Sequence, residues 1–321
     1  MKKLFILIFI LAVLSGGAYY AQKNDWLAKI KNKEFFNEKN SKNNFKIWQN
    51  EAYGFELSYP SGYEFSESKD GYEVGEFFLG KGIYLGRINL PENSYPGSNF
   101  FSGFLNFSAS ATETPDSCRR ANQEGSEQII ELADSKLING VKFWRGKAIG
   151  AAAGTLAESI IWHGFYDGVC YEVTFNTFEG NIGNYPEGTV VQFDKNDAQT
   201  KIESVLETMH FKEGPVNFLA KYLEAYKNIA EKKNFQEVKN FLRSDEIGRM
   251  AKENTSLETN YTAFDNFEVV SVKKQDDHFL AEMELYRNGK ALKKPGENAA
   301  ISVKIFREDG SYKTSDWYFV Q

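Results

Sequence analysis

The sequence predicts an α+β protein built as two antiparallel-sheet units behind an apolar leader. Three observations carry the prediction: an uncharged N-terminal run, short alternating segments closed by turn residues across 45–212, and helical periodicity followed by strand alternation across 214–321. A length of 321 residues suits two domains at roughly 150 residues each. Hydrophobic residues make up 42% and aromatics 15%, enough for two cores, while 7 prolines and 26 glycines are too few for a collagenous or low-complexity chain. The net charge of −6 divides into +4 over 1–40, −9 over 41–212 and −1 over 213–321, so no block is a basic platform for nucleic acid.

Residues 4–22 carry no charge, and LFILIFILAVL at 4–14 is apolar throughout, preceded by Lys2 and Lys3. Such a pattern is an export signal or a membrane anchor over 1–22. At 1.5 Å rise the 19 uncharged residues reach about 28 Å, one hydrocarbon core, whereas the strictly apolar part alone matches a signal-peptide core. Cleavage after Ala18 would place Gly16 at −3, but cleavage after Ala21 would place bulky Tyr19 there, which favours an uncleaved single-pass anchor. A cleaved leader would make the protein secreted. No cysteine precedes Cys118, so a lipid-modified N-terminal cysteine has no residue to rest on. Lys23, Lys29, Lys31, Lys33 and Lys39 outnumber Lys2 and Lys3, against the positive-inside bias, yet the short N-terminus favours outward transfer of the large domains. Residues 23–44, rich in Lys and Asn, predict a polar stalk, with Trp26, Leu27 and Ile30 on one helical turn at the membrane surface.

The first unit spans 45–212. Phe55, Leu57 and Tyr59 alternate on one face of YGFELSYP and stop at Pro60, predicting a half-buried strand closed by a turn. Further strands are expected at 72–79, 83–90, 104–108, 141–144, 156–165 and 169–175. The last two form a hairpin, because Asp167-Gly168 between them supplies positive φ. Ala198, Ile202, Val205, Leu206 and Met209 share a helical stripe after Asp197, the expected N-cap. YGFELSYP, INGVKFWRG, the hairpin ending GVCYEVTF and the closing ETMHF resemble the PsbP family over about 47–212. The resemblance implies an α/β/α sandwich around an antiparallel sheet, in an exported accessory or binding protein with no shared catalytic residue. No histidine cluster here matches that family's metal sites. Trp144, Trp162, Tyr171 and Phe175 would make a carbohydrate or apolar-ligand platform if they shared an exposed face; filling one sheet face is the alternative. The −9 charge disfavours docking on anionic lipid or wall polymers.

Cys118 and Cys170 are the only cysteines, and in an exported chain they are expected to form a disulfide. Closing their loop would restrict the unfolded chain by about 4 kcal/mol in the chain-entropy model. The competing reading is a reactive thiol, with His163 and Asp167 near Cys170 in sequence. His163, His210 and His278 lack zinc spacing, and neither Asp194 with Asp197 nor Asp276 with Asp277 has the oxygen ladder of a calcium loop. Gly80, Gly82 and Gly86 in GKGIYLG are followed by a strand pattern rather than a helix, so a turn is favoured over a phosphate loop. No cofactor, metal or catalytic residue is expected.

Gly214-Pro215 marks the boundary to a second unit at 214–321. A helix is expected over 216–232, with Leu219, Tyr222, Leu223, Tyr226 and Ile229 on its stripe, and another over 235–252, carrying Val238, Phe241, Leu242 and Ile247. Strands are expected at 267–272, 279–286, 300–306 and 316–320. This order and the ending DGSYKTSDWYFVQ resemble the nuclear transport factor two-like superfamily, the cystatin-like cone. The resemblance implies a bent sheet around helices enclosing an apolar pocket, here with Tyr222, Tyr226, Phe241 and Trp317 as pocket candidates. An isomerase-type site would need a carboxylate in apolar surroundings; Asp265 with Tyr226 or Tyr261 is the nominee, against a solvated strand-entry turn for Asp265.

The expected function is therefore a membrane-tethered, extracytoplasmic, non-catalytic binding or accessory protein. Its partners would be the membrane, an envelope protein or a small apolar ligand, with homodimerisation open and nucleic acid excluded. The alternatives are an isomerase- or hydrolase-type enzyme using the cone pocket and a structural envelope module dimerising through the C-terminal sheet.

Overall fold

A computed structural model describes residues 44–67, 77–122, 129–152, 154–228, 235–253, 264–292 and 300–314. The leader and the stalk up to residue 43 lie outside these residues, as do the strand expected at 316–320 and residues 72–76 of the strand expected at 72–79. Among the described residues no helix is long and apolar enough to cross a membrane. Packing divides the chain into Met1–Lys46 and Ile47–Gln321, and the fold that follows is that of the second unit.

The chain is mostly antiparallel sheet with few helices. A three-stranded sheet joins β1 (Phe45–Asn50), β2 (Phe55–Pro60) and β12 (His210–Phe211) in that order. The large sheet contains β3 (Glu64–Ser66), β4 (Ile83–Asn89), β5 (Phe100–Ser110), β8 (Asp134–Ile138), β9 (Val141–Ala152), β10 (Thr155–Tyr166) and β11 (Val169–Gly180), ordered β3-β4-β5-β11-β10-β9-β8. The strands at 83–90, 156–165 and 169–175 are present, and those at 104–108 and 141–144 are longer than their sequence pattern. In β5 the reason is that Asn106, Ser108 and Ser110 face a side of the sheet that is polar yet buried, so the apolar alternation fades before the strand ends. The hairpin β10–β11 turns on Asp167 and Gly168, both with positive φ, and Tyr166 pairs Val169.

Helix α1 (Lys195–Leu206) covers one face of this sheet. Ala198, Ile202, Val205 and Leu206 are buried against Trp162, Tyr171 and Phe175, beside Trp48 and Phe55 of the small sheet. Its N-cap is Asp194, whose side chain accepts from the Asp197 amide at 3.0 Å; Asp197 sits one turn in and is corrected as the cap. On the opposite face the described residues place a two-stranded ribbon, β6 (Arg120–Asn122) with β7 (Ile129–Glu131), together with Phe77 and Phe78. Among the described residues that layer is ribbon and loop with one short 3-10 turn at Ser117–Arg119, where the family resemblance implied helix.

The second core begins with α2 (Pro215–Lys227), α3 (Phe235–Lys239) and α4 (Ser244–Glu253) and continues with β13 (Asn266–Lys274), β14 (His278–Arg287), β15 (Lys290–Ala291), β16 (Ala300–Glu308) and β17 (Ser311–Thr314). Its sheet is ordered β13-β14-β16-β17, with β15 on β14. Leu219, Tyr222, Leu223 and Tyr226 of α2 pack on Phe267, Met283, Leu285 and Val303. The helix expected over 235–252 is two helices. At the break, Arg243 N donates to Thr314 O at 3.0 Å and Thr314 N to Phe241 O at 2.9 Å, so the chain leaves helical geometry to pair with β17.

The two cores meet at a buried polar joint. Asn217, in the first turn of α2, is fully buried. Its Oδ1 accepts from Gly214 N at 2.9 Å, and its Nδ2 donates to the Tyr171 hydroxyl at 3.0 Å and to Tyr166 O at 3.2 Å. Tyr171 in turn donates to Tyr53 O. Burial pushes the phenols of Tyr171 and Tyr53 well above their ordinary range, so Tyr171 remains a donor at any working pH. Gly54, with φ of 63°, lies so close that a Cβ would sit 2.0 Å from Lys212 O, and Val216 N donates to Ala52 O at 3.0 Å. Two exposed ion pairs also link the cores, Lys81–Glu268 at 2.9 Å and Lys274–Glu51 at 2.7 Å. Each is worth at most about 1 kcal/mol, so the joint outweighs them. Asn217→Ala would orphan several buried groups and is expected to lower unfolding free energy by about 3 kcal/mol in urea titration; a loss under about 0.5 kcal/mol would show the network to be dispensable.

Candidate functional site

The hairpin register sets His163 of β10 opposite Glu172 of β11, on the face away from α1. Both are buried, and His163 Nε2 lies 2.8 Å from Glu172 Oε2. That same oxygen accepts from Phe77 N at 2.8 Å, and His163 Nδ1 is 3.2 Å from Cys118 O. A carbonyl only accepts, so Nδ1 carries its hydrogen and a single proton is shared between Nε2 and the carboxyl. The pair is neutral overall wherever that proton sits, which is how two ionisable groups tolerate full burial. Phe78 stacks on the imidazole with ring centroids 5.3 Å apart.

Cys118 and Cys170, both buried beside Phe78, form a disulfide with Cα atoms 5.8 Å apart. The reactive-thiol reading therefore has no thiol to act with. Asp167, its third member, pairs instead with Lys221 at 3.0 Å. Donor atoms of Cys118, His163 and Cys170 lie within 4.8 Å of one another, but both sulfurs are bonded to each other and no thiolate is left to ligate a metal. The ensemble is a sealed structural plug under the sheet.

The other residues singled out in the sequence are spread through the fold. Trp162, Tyr171 and Phe175 are buried under α1, while Trp144 is half-buried on the far face within 5.7 Å of the Arg119 guanidinium, so the four share no platform. Gly80 N donates to Glu113 Oε1 at 2.7 Å, and β4 follows rather than a helix. A Cβ at Gly82 would sit 2.2 Å from the Phe78 ring, so that glycine serves packing. Tyr222 and Tyr226 are fully buried, with Tyr226 stacked on Phe264 at 5.8 Å; Phe241 lies 5.9 Å from Tyr222. Trp317 and Tyr261 lie outside the described residues. Asp265 is exposed and accepts from Asn288 N at 2.6 Å, the solvated turn position rather than an apolar one.

Two of the cavities among the described residues open to solvent. One, about 470 Å³, ends at Glu179, whose carboxylate is held by Lys195 at 2.5 Å and Gln192 at 3.2 Å. Lys195 also reaches Glu158 at 3.2 Å; burial raises that carboxyl, but Lys147 and Lys195 outweigh it and hold it below its ordinary value. The second, about 550 Å³, opens between the two cores, with Lys212 on one wall and His278, Phe279, Arg307 and Tyr312 on the other. Cavities of this volume at the meeting of two cores are the usual size for small ligands. Sequence reasoning did not anticipate it.

No known family matches the chain, and no curated protein does. Two solved structures are similar to it at low identity. One is a crystal structure from Bacteroides thetaiotaomicron, 10% identical, covering 84% of this chain and 88% of that chain at a TM-score of 0.30. The other is the solution structure of cyanobacterial PsbP (CyanoP) from Synechocystis, 11% identical, covering 53% of this chain and 93% of that chain at 0.28. Likenesses at these TM-scores carry no argument about this protein.

Leucine at Glu172 would leave His163 Nε2 and the Phe77 N–H buried without the partner they share. Glu172→Leu is expected to cost about 3 kcal/mol in urea unfolding of the oxidised protein, with more than half recovered in the His163→Phe/Glu172→Leu double variant. Equal losses in the single and double variants would contradict a mutually neutralising pair.

Proposed function

We propose that the protein is a membrane-tethered, extracytoplasmic binding or accessory protein without catalytic chemistry of its own. The observation that carries this reading is the buried Cys118–Cys170 disulfide. Structural disulfides persist in oxidising compartments, and reducing cytosol would leave two thiols in a space packed for a bridge. The uncharged run at 4–22 supplies the means of export and the tether. Within this reading the motifs of 47–212 place that part of the chain near the PsbP family, and the helices-first order after residue 214 fits a cystatin-like cone.

The grouping of reactive side chains supports a non-catalytic role. The nominated acid, Asp265, is solvated, and the one buried acid–imidazole pair is sealed beneath Phe78 and the disulfide. A binding protein needs a cleft and a fixed frame instead, and the joined cores provide both.

Cell fractionation of the full chain with thiol alkylation under denaturing, non-reducing conditions tests the proposal. Membrane-associated protein, cleaved by protease added from outside and carrying no alkylatable thiol, is expected. Soluble cytosolic protein with two alkylatable thiols would refute it.

A further inference from the structure

The layer beneath the large sheet gathers four ligating side chains around one point. Cys170 and Glu172 stand two residues apart on β11 and share a face, and His163 of β10 is the cross-strand partner of Glu172 on that face. Cys118 comes from the covering layer, on the 3-10 turn Ser117–Arg119. Both sulfurs and an imidazole nitrogen lie within 4.8 Å of one another, and Glu172 Oε2 is 2.8 Å from His163 Nε2. All four residues are buried, with the Phe78 ring stacked on the imidazole. The bridge accounts for the two cysteines. It does not account for an acid and an imidazole buried beside them, a pair that adds little net stability.

The orientation of the histidine suits a ligand. Nδ1 donates to the Cys118 carbonyl at 3.2 Å, which fixes the ring and leaves Nε2 to offer a lone pair once the proton shared with Glu172 has gone. Metal-bound imidazoles are held in this way, through the ring nitrogen that does not ligate. Two thiolates, an imidazole and a carboxylate complete the four donors of a closed tetrahedral zinc site, and sulfur disfavours calcium or magnesium. Zinc–sulfur bonds of about 2.3 Å would hold the two sulfurs about 3.7 Å apart. Cys118 sits on a short turn rather than in a sheet ladder, so its sulfur withdraws to that distance without breaking strand pairing.

We propose that the reduced chain binds one zinc ion through Cys118, Cys170, His163 and Glu172, so that disulfide and zinc are mutually exclusive states of the plug. A dithiol reductant gives two electrons to the sulfur–sulfur bond and leaves as its own disulfide, while both cysteines become thiols. Zinc(II) then displaces three protons, one from each thiol and the one shared by His163 and Glu172; no electron moves in that step. Reoxidation by a disulfide reverses both steps and frees the ion. The inference goes beyond the binding-protein reading, since it concerns the chain before its cysteines are oxidised, in whichever compartment that occurs.

Cobalt(II), a coloured substitute for zinc, tests the assignment on the purified full chain, reduced with a phosphine under exclusion of oxygen. One equivalent per chain is expected to give thiolate charge-transfer and tetrahedral ligand-field absorption, bleached by one equivalent of zinc; the oxidised chain should give neither. Zinc should also raise the unfolding midpoint of the reduced chain and leave that of the oxidised chain unmoved. Cys118→Ser, which spares the polar pair, should lose about half of the charge-transfer intensity. His163→Phe/Glu172→Leu keeps both thiols and, with the partners removed together, keeps the fold; it should bind zinc at least about tenfold more weakly. Absence of one-to-one cobalt absorption by the reduced wild type would overturn the proposal. Full charge-transfer intensity in Cys118→Ser, or undiminished affinity in the double variant, would overturn it equally.

Discussion

Everything described after residue 47 depends on a few hydrogen bonds around Asn217. The amide is a bidirectional group placed where three chain segments cross: the turn before β2, the tip of the β10–β11 hairpin and the start of α2. Because it is fully buried, each of its bonds replaces one that water would otherwise supply, and losing one strands a partner as well. Lys221 reinforces the crossing by pairing with Asp167 on the hairpin and Glu213 on the incoming chain. Gly168 lets the hairpin tip lie against α2, since a Cβ there would meet the Ala220 methyl at 3.1 Å and would require an unfavourable positive φ of 89°. The cleft at the meeting of the cores is shaped by this crossing.

The same economy governs the far side of the large sheet. That face carries Asn106, Ser108, His163, Glu172, Thr174 and Asn176, and all are buried. They are satisfied locally: His163 by Glu172, Asn176 by Thr174 and Ser159. A polar interior of this kind adds little net stability and selects one arrangement, because a shifted register would break several bonds at once. The disulfide then closes the layer that covers it.

Much of this was legible in the sequence, and the reasons are specific. Asp167-Gly168 announced its hairpin, and counting back from it across the turn sets His163 opposite Glu172, a step the sequence alone permitted. Asn139-Gly140, Asn288-Gly289 and Asp309-Gly310 carry the same signal, and each has two positive φ values between paired strands. The even cysteine count pointed to the bridge. The Asp194 cap was hidden by Asp197, an equally good capping residue three positions later. The break between α3 and α4 depends on pairing of Phe241 and Arg243 with Thr314, some seventy residues away, and no local pattern encodes it. The cleft was illegible for the same reason. Its walls come from the turn after β1, the exit of β12 and the β13–β14 and β16–β17 turns, which meet only once both cores have docked.

The proposed binding role would need the two cores to behave as one body, since anything bound across them would otherwise have to order them first. Amide hydrogen exchange, compared between β11 and β14 in the wild type and in Tyr171→Phe, addresses that coupling most directly. The account predicts that the slowest amides of both strands open with one shared free energy in the wild type, and that Tyr171→Phe lowers both together. Independent opening of β14 in the wild type, left unchanged when the Tyr171 hydroxyl is removed, would contradict it.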